Sequence, residues 1–374
     1  MKIGILTLPL SYNYGGILQA YALQAVLLRL GHEPKLIYYP FKRREVSFLS
    51  KIKRVIKKVF NRYPGYYINY EELFNKWLPH ISYHTNRFIL SNMLLTDEIH
   101  SFEDINEKDF DAIIVGSDQI WRPCMFQYDP AIPFLNFAKT WKIKRIAYAV
   151  SFGTSNWEYS DEKTKECAYL ASLFDSITVR EKSAVDMCKQ YLGVNSYDVL
   201  DPTLLLDASD YKNLINNSHV KENEGNLFLY VLDPTAFKVN VVNHIAKTKN
   251  LKPFKVNAID GNVKCKLEDR IAKPVESWIR GIAEAEFVVT DSFHACVFSI
   301  IFNKPFIVIP NKQRGLSRFE SLLGQFGLME RMIDENSDFK VANNNINYLK
   351  VNKILMEQKK KSIMLLNDAL NRKD

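Results

Sequence analysis

Cysteine is scarce in this chain: Cys124, Cys167, Cys188, Cys265 and Cys296 are odd in number and scattered. That pattern excludes a disulfide framework and a zinc site built from paired ligands, and it predicts a reduced compartment. No apolar stretch reaches the ~20 residues that cross a bilayer. The opening MKIGILTLPLSYNYGG carries one lysine and a brief apolar run without a cleavage site, so it does not read as a signal peptide. A cytoplasmic protein is expected. No tract has the composition of disorder, and no carboxylate cluster has metal spacing, so neither a metal nor a bound cofactor is expected. The dinucleotide fingerprint and the phosphate-loop lysine are both missing. Base-reading and RNA-binding motifs are missing too, so nucleic acid is not an expected partner.

What is present fits a soluble enzyme. At 374 residues, with 47% hydrophobic and 25% charged residues, the chain exceeds one comfortable core and predicts two domains. A net charge of +8 favours anionic partners, whether phosphorylated metabolites, a polyanion or an anionic membrane surface.

The richest stretch is IAEAEFVVTDSFHACVFSIIFNKPFIVIP, from Ile282 to Pro310. Phe287 to Thr290 reads as a buried strand, Thr290-Asp291-Ser292 as helix-capping residue types, the run from His294 as a buried helix stopped by Asn303 and Pro305, and Phe306 to Ile309 as a second strand. In a parallel sheet such a strand-to-helix junction lies at the carboxyl edge, where ligands bind and free backbone N–H groups favour anions. His294 stands at that edge. Its ring is suited either to a phosphate or sugar hydroxyl, or simply to bonding a neighbouring backbone group.

Similar junctions recur along the chain. Lys2–Leu8, a loop over Ser11–Gly16, a helix over Ile17–Leu30 with Leu18, Ala22, Ala25 and Leu28 inward, and a strand at Leu36–Tyr39 form an opening strand-helix-strand unit. The loop Asn13-Tyr14-Gly15-Gly16 either lets amides approach an anion or is a tight turn without ligand. Phe110–Val115 leads into Gly116-Ser117-Asp118-Gln119-Ile120-Trp121, whose acid, amide and indole suit a sugar; Asp118 is equally a turn cap. Arg145–Val150 is the next strand. Asp175–Val179 then precedes Arg180, which either clamps a carboxylate or phosphate or pairs with Glu181 or Asp201. Val199–Thr203 reads as the last strand and its exit. The boundary is expected between Asp207 and Gly225, giving domains at 1–210 and 220–345 and a C-terminal helix in 346–374, packed outside or returning to the first domain. The second half alternates likewise, with strands at Leu227–Leu232, Phe254–Ala258, Phe287–Thr290 and Phe306–Ile309 and a helix at Glu276–Ala283. The predicted fold class is α/β with two Rossmann-like, doubly wound halves.

An insertion around 42–100 begins with a strongly basic run from Lys42 to Arg62, in which Phe48, Leu49, Ile52, Val55, Ile56 and Val59 recur near helical spacing. Such a helix lies on an anionic membrane, grips a polyanion, or packs on its own domain. The aromatics Tyr63, Tyr66, Tyr67 and Tyr70 follow it. Lys312, Arg314 and Arg318 crowd a loop close in sequence to His294.

Taken in order, NYGGILQAYAL, GSDQIW, TVREKSA, DPTLLL, VVTDSFHACVFSIIFNKPFIVI and SRFESLLGQFGLMER resemble the polysaccharide pyruvyl transferase family over nearly the whole chain. The resemblance implies a GT-B-like pair of domains with the active site in the interdomain cleft. It implies transfer of the enolpyruvyl unit of phosphoenolpyruvate onto two hydroxyls of a hexose, with galactose and a 4,6-ketal the family's prior. The acceptor is then a hexose-containing saccharide, lipid-linked or polymeric, built for a capsule or other surface polymer at the inner membrane face. By the same resemblance His294 binds donor phosphate and transfers a proton, and Asp291 orients it. Arg180, Arg314, Arg318, Ser292, Gly15 and Gly16 serve the donor; Asp118, Gln119, Trp121, Asn13 and Tyr14 serve the acceptor, and Asp118 joins His294 and Asp291 as a catalytic residue. Many relatives carry arginine two residues before the histidine, where this chain has Ser292, so the missing charge falls to the other arginines. A sugar-nucleotide glycosyltransferase of the same fold and a noncatalytic polyanion or membrane-surface binder are the competing expectations.

Overall fold

The computed structural model describes residues 1–60, 64–311 and 315–372. Arg62, Tyr63, Lys312 and Arg314, all singled out above, lie outside the described residues.

Seven strands form the first sheet: β1 (Lys2–Leu6), β2 (Glu33–Tyr38), β3 (Leu95–Glu98), β4 (Ala112–Val115), β5 (Lys144–Val150), β6 (Ser176–Val179) and β7 (Tyr197–Asp198). Their order is β3-β2-β1-β4-β5-β6-β7, with every pair parallel. The second sheet has β8 (Leu227–Tyr230), β9 (Pro253–Lys255), β10 (Phe287–Thr290) and β11 (Phe306–Val308), also parallel and ordered β11-β10-β8-β9. Both halves are Rossmann-like, and together they make the GT-B-like architecture. The switch in strand order between β1 and β4 leaves a crevice at their carboxyl ends, the usual ligand position in such sheets.

The helices of the first half are α1 (Tyr14–Arg29), α2 (Phe48–Val59), α3 (Tyr70–Ile81), α4 (Tyr83–Asn92), α5 (Asp161–Ala171), α6 (Lys182–Met187) and α7 (Ala208–Asn216). Those of the second are α8 (Ala236–Thr248), α9 (Val275–Glu284), α10 (Phe293–Ile301), α11 (Leu316–Phe326) and α12 (Tyr348–Asn371). Helix α12 returns to the first domain: Ser362 Oγ accepts the Leu200 N–H at 3.0 Å, and Lys359 pairs with Asp207 at 2.6 Å. No described helix is long and apolar enough to cross a membrane.

Several boundaries differ from expectation for physical reasons. Helix α1 starts at Tyr14, so Gly15 and Gly16 occupy its first turn instead of a loop. Its expected inner face holds at Leu18 and Ala22, whereas Leu28 is 46% exposed and Leu23, Val26 and Leu27 are buried. This helix is enclosed on most sides, so no single stripe defines it. The strand expected from Val199 is the two-residue β7 just before it, and Pro202–Leu205 is a 3-10 turn capped by Asp201. Leu95–Glu98, with its two acids, gave no apolar signal and is an edge strand.

One apolar core runs across both domains, joining Ile3, Ile5 and α1 to Phe228, Trp278 and α10. At its centre Tyr14 stacks on Trp278, ring centroids 5.7 Å apart, and its hydroxyl donates to the Lys273 carbonyl at 3.0 Å. A shared aromatic core of this kind fixes the two carboxyl edges against each other.

Candidate active site

Between those edges lies a cavity of about 560 Å³. Its walls come from the segments that leave β1, β4, β8 and β10, from the loop after β9, and from α3 and α11.

His294 is the second residue of α10, which Ser292 caps by accepting the Ala295 N–H at 3.5 Å. The imidazole lines the cavity from the second domain, yet it is held by the first. One ring nitrogen, Nε2, lies 3.6 Å from Asp201 Oδ2. The other side of the ring presses on α1: a Cβ placed on Gly15 would lie 2.0 Å from Nδ1. Gly15 is therefore required by a ring arriving from the opposite domain.

Asp201 is fully buried. Its Oδ2 accepts from Arg180 Nη1 at 2.8 Å and Ser117 Oγ at 3.1 Å, while Oδ1 accepts the Thr203 N–H at 3.0 Å and hydroxyl at 2.6 Å. Burial pushes this carboxyl up, but His294, Arg180 and Thr203 together hold it well below the usual carboxylate range. Arg180 lies behind the cavity wall, 3.6 Å from Asp118 and 4.0 Å from Glu181, with its guanidinium 4.4 Å over the Phe293 ring. Burial alone would lower its pKa; Asp201, Asp118 and Glu181 reverse that and raise it. Arg318, on α11, lines the cavity, with its guanidinium 5.6 Å from the centroid of the same ring. Its pKa is lowered to about 10, first by burial and then by Arg180.

The structure therefore brings together His294, Asp118, Arg180 and Arg318, with Asp118 in a left-handed conformation (φ 67°) that turns it to the cavity. Gln119 lines the cavity beside it and accepts from Arg122 at 3.2 Å. Asn13 and Tyr14 line the wall at the start of α1, and Gly16 lies in its first turn against the Asn13 side chain. Trp121 is placed elsewhere. It is sealed in the core, stacked on Phe134 at 4.5 Å, with its N–H donated to the Pro133 carbonyl at 3.1 Å. Asp291 is held by Lys238 at 2.7 Å and by the N–H groups of Leu232 and Asp233 at 2.7 and 2.9 Å, and the carboxylate beside His294 is Asp201. Arg314 lies outside the described residues.

A second group of cavity residues had no motif to announce it. Tyr12, Phe41 and Phe74 form an aromatic cluster with centroids 5.8–6.4 Å apart. Arg43 sits 4.3 Å over Phe74 and donates to the Tyr12 hydroxyl at 2.9 Å and to Asp260 at 3.4 Å. Burial, with Asp260 nearby, pushes the Tyr12 phenol up to about 12. One end of the cavity is thus cationic and imidazole-bearing. The other is aromatic, with Asp260 held beside Arg43, a mixture of rings and polar groups suited to a sugar.

A family model described as polysaccharide pyruvyl transferase matches residues 13–313. The chain belongs to that family. The match spans both halves of the transferase, from the Asn13 cap to the segment after β11. No curated protein sequence matches it significantly. Among solved structures, the UDP-GlcNAc 2-epimerase of Neisseria meningitidis is 8% identical, covering 99% of this chain and 97% of that one at a TM-score of 0.48. The UDP-GlcNAc 2-epimerase of Methanocaldococcus jannaschii is 12% identical over 96% and 92% of the two chains, TM-score 0.48. MurG of Acinetobacter baumannii is 9% identical over 100% and 99%, TM-score 0.45. These are distant likenesses.

Proposed function

We propose that this transferase moves the enolpyruvyl unit of phosphoenolpyruvate onto two hydroxyls of one hexose, in a lipid-linked or polymeric saccharide, and releases phosphate. The observation that carries the reading is His294, braced by Asp201 and Gly15, in the same wall as Arg318 and in front of Arg180. The donor brings a phosphate and a carboxylate; Arg318, which lines the cavity, supplies charge to them directly, while Arg180, behind the wall, holds Asp201 beside His294. His294 gives a proton to the donor methylene, which becomes a methyl group as the neighbouring carbon turns electrophilic. One sugar hydroxyl adds to that carbon and passes its proton to Asp118 or back to the imidazole. A second hydroxyl of the same hexose then displaces phosphate, whose departure takes up the remaining proton and closes the ketal. The aromatic end, with Tyr12, Phe41 and Phe74, holds the sugar.

The test is incubation with phosphoenolpyruvate and galactose-bearing lipid-linked or polymeric acceptors, reading phosphate release and the ketal methyl group by NMR. Acceptor-dependent release is expected. Release of nucleotide from a sugar nucleotide, with none of phosphate from phosphoenolpyruvate, would transfer the assignment to a glycosyltransferase. Arg318→Met is expected to raise the donor KM about tenfold or more, since one charge-assisted contact contributes ~1.5–3 kcal/mol; an unchanged donor KM would remove Arg318 from the donor site.

A further inference from the structure

Helix α2 is mounted inside out. Ser47 caps it, and its apolar residues Phe48, Leu49, Ile52, Val55, Ile56 and Val59 share one face by their i, i+3, i+4 spacing, with Phe60 just beyond its end. An ordinary surface helix turns such a face inward. Here none of the helix is buried: Phe48, Leu49, Val59 and Phe60 are 71–76% exposed, and Ile52, Val55 and Ile56 are 40–50% exposed. The side chains nearest the body are polar, namely Ser50, Lys51, Arg54 and Lys58. Arg54 fastens the helix to α3 by a two-pronged pair with Glu71, at 2.7 and 2.8 Å, and by the Ile68 carbonyl at 3.1 Å. Lys53 and Lys57 lie on the exposed margin, where with Ser50, Arg54 and Tyr66 they surround a cavity of about 320 Å³.

We infer that α2 is a docking element for an anionic lipid surface, its apolar face entering the acyl boundary while Lys53 and Lys57 meet headgroup phosphates. An apolar face alone would suit any partner; a face edged by lysines, with a cation-lined hollow beside it, matches a bilayer whose interior is apolar and whose rim is negative. The position has a consequence. Helix α3 holds α2 through Glu71 and lines the cavity through Phe74 and Ile81, so the docking helix and the aromatic part of the cavity wall are joined through one element. Delivery of a lipid-linked acceptor rests on the proposed pyruvyl transfer, whereas docking itself does not.

The full chain is to be sedimented with vesicles of phosphatidylcholine alone and of phosphatidylcholine mixed with phosphatidylglycerol, with no substrate added. Binding is expected only to the mixed vesicles. It should weaken at least tenfold in Leu49→Asp/Ile56→Asp and roughly fivefold for each of Lys53→Gln and Lys57→Gln. These side chains are exposed, so the fold and turnover of a soluble acceptor should be unchanged, which separates lost docking from lost catalysis. Equal binding to neutral vesicles, indifference to the aspartates, or self-association that the aspartates abolish without any vesicle binding would each overturn the inference.

Discussion

Gly15→Ala is expected to remove nearly all turnover, and to do so through His294. At most helix positions this change stabilises, because alanine costs about 0.5–1 kcal/mol less than glycine inside a helix. At Gly15 the new methyl would stand 2.0 Å from His294 Nδ1 and 2.4 Å from Cγ, far inside contact distance. The ring has little room to retreat, with Asp201 at 3.6 Å on its far nitrogen and the Phe293 ring 5.3 Å away. Either α1 or α10 must shift. A misplacement near 1 Å costs on the order of 10²-fold in rate, and outright loss of the proton donor about 10²–10⁴-fold. Overpacking adds roughly 1–3 kcal/mol of instability. Gly16→Ala is the matched control: the nearest atoms to its methyl would be those of the Asn13 side chain, from 3.2 Å, so near-normal turnover is expected. A double-mutant cycle decides the cause. If the clash is with the imidazole, His294→Ala should restore the melting temperature lost in Gly15→Ala, while additive losses would place the damage elsewhere. Wild-type turnover in Gly15→Ala would show that the imidazole's place against α1 has no part in catalysis.

The sequence offered Gly15 as a donor residue but not as the seat of the His294 ring, and the reason is physical. Phe287–Thr290 falls where its β-branched, apolar run predicts, and the histidine follows from the strand-to-helix junction after it, because both are local. Glycines ahead of an apolar helix look like loop residues for an equally local reason, yet here the missing side chain answers a ring contributed by the other sheet. The same distance hid the imidazole's carboxylate. Asp291 is three residues from His294 and suggested itself, but the end of β8 and Lys238 of α8 claim it. Asp201, which the sequence offered only as a partner for Arg180, is that partner and also the carboxylate beside His294, since β7 ends where the two domains meet. Helix α2 was legible as amphipathic, but its inverted mounting depends on the Arg54–Glu71 pair, which no periodicity reveals.

Asp201→Ala should be among the most destabilising single changes in the molecule. It strips the 2.8 Å partner from a buried arginine and leaves Ser117 and Thr203 without their acceptor. Removing one member of a buried ion pair costs about 3–5 kcal/mol, much of the stability of an ordinary domain. The damage is moderated because Asp118 and Glu181 still face Arg180. Asp201→Asn keeps the shape and some of the hydrogen bonds, so it should melt nearer the wild type. It should nevertheless lose turnover, because an amide no longer draws His294 and Arg180 into place; this makes Asp201 a positioning residue, read by kcat falling more than donor KM rises. A parallel loss of stability and kcat, with no variant separating them, would reduce Asp201 to a structural role. The pH dependence has a definite sign. Because the folded state depresses the Asp201 pKa, its contribution is fully present above about pH 4, the unfolded carboxylate range, and is lost as the pH falls through the folded value. Wild-type protein should therefore lose stability on acidification below that point, and Asp201→Asn should lose less over the same interval. Identical acid profiles in thermal melts would mean that this carboxylate is not charged in the folded protein, and its part in placing His294 and Arg180 would fall with it.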